Sequence, residues 1–175
     1  MLWPRNDETV RAHFQKDIEN VHLLYDYDAE NPETGAPEKW RYEMWFRSDN
    51  RIVYAIHGGP MAGRLNYQTV DYQCIRPGEL WQANWLEETG TICSLVYDIP
   101  QGKITTMLNF SKGHWEYPEK AHGDKRNPED FQRWRELARV GGATERKILN
   151  DQATILKSFR GAGDLKDIDL NAPTL

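Results

Sequence analysis

LWQANWLEETGTICSLVYDIPQGKITTMLNF, residues 80–110, is the stretch whose reading decides the fold of this chain. Trp81, Ala83, Trp85 and Glu87 fall on alternate positions, so an extended backbone puts all four on one face. Residues 88–90 then read as a tight turn. Two more alternating runs follow, 91–98 and 103–110, separated by Pro100-Gln101-Gly102. Three short strands with turn residues between them predict an antiparallel meander.

The same grammar extends outward. Upstream, 21–28 places Leu23, Tyr25 and Tyr27 on one face and His22, Leu24 and Asp26 on the other. Residues 29–39, AENPETGAPEK, read as a polar loop rich in turn formers. In 40–47, Trp40, Tyr42, Met44 and Phe46 alternate with charged and aromatic neighbours. Ser48-Asp49-Asn50 turns the chain into 51–57, where Ile52, Tyr54 and Ile56 share a face. HGGPMAGR, 57–64, reads as a glycine-rich corner, and 66–76 as a strand ending at Pro77-Gly78. A helix is predicted over 7–18, with Val10, Phe14 and Ile18 on one side. A second is predicted over 128–140, opened by Pro128, Glu129 and Asp130 and stopped by Gly141-Gly142. Phe131, Trp134, Leu137 and Ala138 form its apolar stripe. A last strand is predicted over 152–159, and the tail from Gly161 reads as loose. One domain therefore spans 1–175: a helical extension at 1–20, a β-region at 21–159 carrying the helix at 128–140, and a tail at 160–175. About eight short strands at regular spacing argue for an antiparallel barrel or sandwich, and an eight-stranded barrel holds packed side chains or one small ligand.

Composition narrows the function. The chain has 175 residues, 39% hydrophobic and 28% charged, which is globular and long enough for a core without disulfides. A net charge of −5 argues against a non-specific nucleic-acid binder. No apolar run approaches a membrane helix, and the charged N-terminal stretch does not read as a signal peptide. Two cysteines without CxxC spacing predict a reduced, cytoplasmic protein. The unusual count is aromatic, with seven Trp and eight Tyr.

Candidate chemistry sits on the inward faces. Glu87 shares its face with Trp81 and Trp85. Desolvation disfavours the charged form of a carboxylic acid, and an acid kept protonated near neutral pH can donate a proton. The alternative is a strand-end carboxylate beside Glu88, facing water. Tyr25 and Tyr27, about 7 Å apart along one strand face, would converge on a carboxylate or phenolate, or else sit as core tyrosines. Arg64 closes the glycine corner, where it would grip a carboxylate or simply be solvated. His57, His114 and His122 lack metal-ligand spacing and read as core or surface histidines. Cys74 and Cys93 read as small hydrophobes, and the run from His122 to Asn127 as a solvated charged loop.

LLYDYD (23–28), WRYEMW (40–45), VYAIHGGPMAGR (53–64), NWLEETGT (84–91) and WEYPEK (115–120), in that order, resemble the phenolic acid decarboxylases, with a weaker echo at DQATIL (151–156). The resemblance implies a flattened, antiparallel, lipocalin-like (calycin-type) β-barrel with flanking helices, usually a homodimer. It implies non-oxidative loss of CO2 from para-hydroxycinnamic acids such as p-coumaric, ferulic and caffeic acid, without metal or cofactor, to give 4-vinylphenols. It places the family's tyrosine pair on Tyr25 and Tyr27, its arginine on Arg64 and its glutamate on Glu87. Tyr42, Tyr54 and Trp40 would shape the substrate pocket. The chain departs from the pattern at the long loop 29–39, at Glu88 where a proline is expected, at Asp151 where a glutamate is expected, and over 128–140. Two rival readings remain: a lipocalin-like carrier of small aromatics, and a related lyase or hydratase on the same barrel.

Overall fold

The computed structural model describes residues 8–31 and 33–175, so Asp7 of the predicted first helix and the rest of residues 1–7 lie outside the described residues. Helix α1 (Glu8–Asp17) leads into β1 (Val21–Glu30), β2 (Pro37–Phe46), β3 (Arg51–Ile56), β4 (Arg64–Thr69), β5 (Asp71–Arg76), β6 (Leu80–Leu86), β7 (Ile92–Asp98) and β8 (Lys103–Ser111). Helix α2 (Lys112–Glu116), a 3-10 turn at Pro118–Ala121, β9 (Gly123–Asp124), α3 (Pro128–Leu137) and β10 (Arg146–Arg160) complete the order. The fold is mainly β, as the alternation predicts.

All ten strands form one sheet in the order β5-β6-β7-β8-β10-β1-β2-β3-β4-β9. Every pair is antiparallel except β4 with β9. The meander over 80–110 forms with the expected turns. The predicted strand over 66–76 does not form as one piece. It breaks at Val70, which is fully buried and whose amide donates to the Asn50 carbonyl (3.0 Å). β4 then pairs with β3, and β5 with β6, at opposite ends of the strand order. The sheet curls so that side chains of β4 reach the turn after β6, but its backbone ladder ends at β5 and β9. The ring of hydrogen bonds that defines a closed barrel is therefore not complete, and ten strands stand where about eight were expected.

Other boundaries shift for local reasons. The predicted loop 29–39 is mostly hairpin, because Ala29 pairs with Glu38 and Glu30 with Pro37. Its tip is held by Asn31, whose Oδ1 accepts from the amides of Glu33 and Thr34. β10 is nearly twice its predicted length, and its two edges bond β8 and β1, joining the halves of the sheet. α3 is capped by Asn127, whose side chain accepts from the Glu129 amide, and it ends at Leu137 rather than 140. α1 plugs one end of the curled sheet: Phe14 packs on Tyr72 and Trp81, and Asp17 accepts from Trp81 Nε1 (2.9 Å) and the Gly78 amide (2.7 Å). The tail is not loose. Ala162, Leu165, Ile168 and Ala172 pack against Trp45, Val53 and Tyr67, and Arg51 donates to the Leu170 carbonyl. These apolar residues are too widely spaced for periodicity to reveal them. No helix among the described residues is long and apolar enough to cross a membrane.

Candidate active site

The concave face of the sheet holds a cavity of about 480 Å³ of atom-free space, part of it open to solvent. Strand parity delivers its walls. β1 contributes Tyr25 and Tyr27, β2 Tyr42, β3 Tyr54, β4 Arg64 and β6 Trp85, with Glu87 just beyond. The structure thus brings six of the seven sequence-predicted site residues to one space.

Glu87 opens the turn that follows β6. Its amide donates to the Thr91 carbonyl and its carbonyl accepts from Gly90, whose φ of +81° suits glycine. The residue is 5% exposed. Its Oε1 accepts from the Tyr54 hydroxyl (2.5 Å), Trp85 Nε1 (3.2 Å) and Cys93 Sγ (3.6 Å). Its Oε2 accepts from Arg64 Nη2 (3.1 Å). The water-facing alternative for Glu87 does not hold. Glu88 is buried too, at 4% exposure, because the turn interrupts the alternation and sends two successive carboxylates inward.

Arg64 is 1% exposed. Its guanidinium lies 3.9 Å over the Trp134 ring, and Nη1 donates to the Ala121 carbonyl (3.1 Å). Nη2 serves both Glu87 and Glu88. Burial works against the cation, but Glu88 and Glu87 outweigh it and hold Arg64 charged. The arginine therefore grips the protein's own carboxylates rather than standing at a mouth awaiting a ligand. Its corner is glycine-built for a steric reason. A Cβ on Gly58 would meet the Arg41 nitrogen and Lys39 oxygen at 2.8 Å, and one on Gly59 would meet the Trp40 ring at 2.7 Å.

The tyrosines cluster. Tyr25 sits opposite Tyr42 across the β1–β2 ladder, and the rings of Tyr25, Tyr27 and Tyr42 lie 5.3–5.9 Å apart. Tyr27 shares a hydrogen bond with Thr106 Oγ1 (2.6 Å). Burial pushes the phenols of Tyr25, Tyr27, Tyr42 and Tyr54 above their usual value, so each stays a neutral hydroxyl. Trp40 is the predicted residue that lies apart. It lines a smaller recess behind Tyr27 and Tyr42, donates to Glu38 and supports the glycine corner.

Several site residues escape the sequence reading. His114, on α2, lines the cavity at 2% exposure and stacks edge-on against Phe110. Its Nδ1 shares hydrogen bonds with Thr91 Oγ1 (2.7 Å) and Thr89 Oγ1 (3.0 Å). Burial and the nearby Arg64 push its pKa well below the usual histidine value. Lys125, expected in a solvated loop, is 2% exposed and donates to Glu88 Oε2 (2.8 Å). Asn66 and Gln68 also donate to Glu88. The alternation Arg64, Asn66, Gln68 on one strand face carries a signal for these two; Lys125 has none. Among the described residues no cluster of His, Cys, Asp or Glu is placed to hold a metal ion.

Fold and site together give a curled antiparallel sheet around a cavity, with a hydrogen-bonded carboxyl group and an arginine set in an aromatic wall. The chain belongs to the phenolic acid decarboxylase (PAD) family, whose profile matches residues 16–170. It is 32% identical over 99 residues to "Phenolic acid decarboxylase PadC" of Bacillus subtilis (strain 168), covering 56% of this chain and 55% of that protein. It is 26% identical over 99 residues to "Probable phenolic acid decarboxylase" of Vibrio cholerae serotype O1, covering 56% and 51%. The chain thus spans about half the length of the curated relatives it matches.

Proposed function

We propose that this protein removes CO2 from para-hydroxycinnamic acids such as p-coumaric, ferulic and caffeic acid, giving 4-vinylphenols. The observation that carries this reading is Glu87, a carboxyl group in the wall of an aromatic cavity, held on both oxygens and facing a cluster of neutral tyrosines. In this reading the curled sheet acts as the flattened, lipocalin-like barrel of the family resemblance, its gap at Val70 bridged by side chains of β4.

Tyr25 and Tyr27 bind the substrate's para-oxygen. As neutral hydroxyls they donate to it, which favours the phenolate. Electrons flow from the phenolate through the ring and alkene, and the carbon bearing the carboxylate takes a proton from Glu87. The product of that step is a quinone methide with its carboxylate intact. The carbon–carboxylate bond then breaks, its electron pair restores the ring and alkene, and CO2 leaves. The vinylphenolate is reprotonated and Glu87 regains its proton, so the net reaction consumes one proton per CO2 released. The quinone methide is the electron sink, so the scheme asks for no metal or cofactor. Arg64 orients Glu87, since both carboxylates already occupy its Nη2. In this reading the substrate carboxylate forms no ion pair as it becomes neutral CO2. Trp40 acts indirectly, by supporting the corner. Both cysteines are free thiols, which suits the cytoplasmic setting of this reading, and we take the working form as a homodimer.

The test follows p-coumaric and ferulic acid with purified, chelator-treated protein, using chromatography for substrate loss and vinylphenol. A para-methoxy analogue, which cannot ionise, is the control. Turnover of the first two and not the third is expected. Turnover of all three overturns the quinone methide route; binding without turnover favours the carrier.

A further inference from the structure

We propose that Lys125 and Glu88 are a positioning pair that sets how Arg64 is shared between two buried carboxylates, and through it tunes the acid Glu87. The kinetic meaning of this inference rests on the decarboxylase reading; its geometry does not.

Glu88 does not line the cavity, and neither do Asn66, Gln68 or Lys125. They form a second polar layer behind Glu87, joined to it by two bridges. The first is Arg64 Nη2, a single nitrogen that donates to Glu87 Oε2 and to Glu88 Oε1. The second runs through Asn66 Nδ2, which donates to Glu88 Oε1 (3.1 Å) and to the Tyr54 hydroxyl (2.9 Å); that hydroxyl donates to Glu87 Oε1. On its far side Glu88 Oε2 accepts from Lys125 Nζ (2.8 Å) and Gln68 Nε2 (2.8 Å). Lys125 is fixed in turn by the Tyr67 carbonyl (2.8 Å), Gln68 Oε1 (3.1 Å) and the Thr174 carbonyl (2.8 Å). The aromatic rings of Tyr67 and Phe131 flank its ammonium.

With Glu87 and Arg64 this layer brings together two acids and two bases whose side chains are at most 6% exposed. A buried carboxylate that loses its partner becomes an uncompensated charge. Without Lys125, Glu88 would draw on Arg64 alone and compete with Glu87 for it. With Glu88 neutralised, Arg64 would belong to Glu87. The two removals therefore act on Glu87 in opposite directions. The titratable groups facing Glu87 are Arg64, Glu88, Tyr42, Tyr54, Cys93 and His114. Burial holds the Tyr42, Tyr54 and Cys93 protons on and pushes the His114 pKa well below its usual value, so the standing charges beside Glu87 are Arg64, Glu88 and Lys125.

The experiment reads Glu87 directly in the free protein. Glutamate is labelled with 13C at the carboxyl carbon, and the Glu87 resonance is assigned by its loss in E87Q. Its titration is followed from pH 3 to 7 in wild type, K125M, E88Q and the double variant. An upward move of the midpoint by about one pH unit is expected in K125M and a downward move of about one unit in E88Q. The double variant should coincide with E88Q, about one unit below wild type, because without the Glu88 charge the lysine has no hold on Arg64. If K125M does not fold, the double variant still judges the sharing: a midpoint that rises back to wild type would mean the lysine acts on Glu87 directly and overturns it. Shifts in the same direction, or none, overturn the proposal, because a merely structural role has no reason to give opposite signs. Active variants should show the alkaline limb of kcat/KM moving with the same signs. A wild type without turnover on phenolic acids would refute the decarboxylase reading and leave this titration to judge the pair.

Discussion

Replacing Glu87 by Gln keeps the shape of the side chain but turns one oxygen into a donor. The Oε1 position receives Trp85 Nε1 at 3.2 Å and the Tyr54 hydroxyl at 2.5 Å; the Oε2 position receives Arg64 Nη2 at 3.1 Å. An amide nitrogen at Oε2 would face a guanidinium N–H. At Oε1 the Tyr54 hydroxyl can reverse and accept, but the indole N–H cannot. The less costly orientation thus loses a charge-assisted hydrogen bond and strands the Trp85 donor. Each of those changes costs about 1–3 kcal/mol, for a total of roughly 2–6 kcal/mol. For a chain of this size that lowers Tm by roughly 4–24 °C. Removing a general acid lowers turnover by about 10²–10⁴-fold. The assay pairs vinylphenol formation with thermal melting and with tryptophan quenching on p-coumaric acid. Turnover should collapse, binding should stay within about threefold, and the protein should remain folded at 25 °C. Turnover within tenfold of wild type refutes Glu87 as the proton donor. An unchanged Tm refutes the hydrogen-bond account of how it is held.

The remaining predictions bear on the scaffold and the buried charges. In Gly113→Ala the new Cβ would overlap the Leu137 carbonyl oxygen and stand 3.0 Å from its Cα, so α2 and α3 must separate. A loss of about 1–3 kcal/mol in denaturant unfolding is expected, and a neutral result would contradict that packing. Burial raises the pKa of Glu88, but Arg64 and Lys125 outweigh it and bring it to about 2 from an ordinary 4.5. Its contribution to stability is therefore full above about pH 4.5 and lost as pH falls toward 2, which E88Q should flatten in acid-unfolding curves. Burial keeps His114 neutral, so its ring carbons should not titrate between pH 5 and 8 by NMR; a midpoint near 6.5 would mean that water reaches the ring.

How far the sequence carries can be judged residue by residue. Tyr25, Tyr27, Tyr42, Tyr54, Trp85 and Glu87 were legible because a strand shows alternate residues to one face, and aromatic faces turn inward. Arg64 was legible as the residue closing a glycine corner, though not as a partner of the protein's own acids. Trp40 shares parity with Tyr42 yet lies off the main cavity, because the chain crosses it at Gly58 and Gly59. Parity gives the face of a side chain, and its place along the strand decides which space it meets. His114 sits on a five-residue helix and Lys125 just after a two-residue strand, both too short to show a period.

The sequence by itself determined the local grammar: mostly antiparallel strands, their inward faces and the family motifs strung along them. Those are properties of neighbours along the chain, set by backbone pleat and turn chemistry. Only the tertiary structure decided that the run over 66–76 breaks at Val70 and that β10 joins the two halves of the sheet. Only there does Glu88 turn inward to meet Lys125, 37 residues away in sequence. Burial and charge pairing depend on what packs against a residue from elsewhere in the chain, and strand alternation carries no information about that partner.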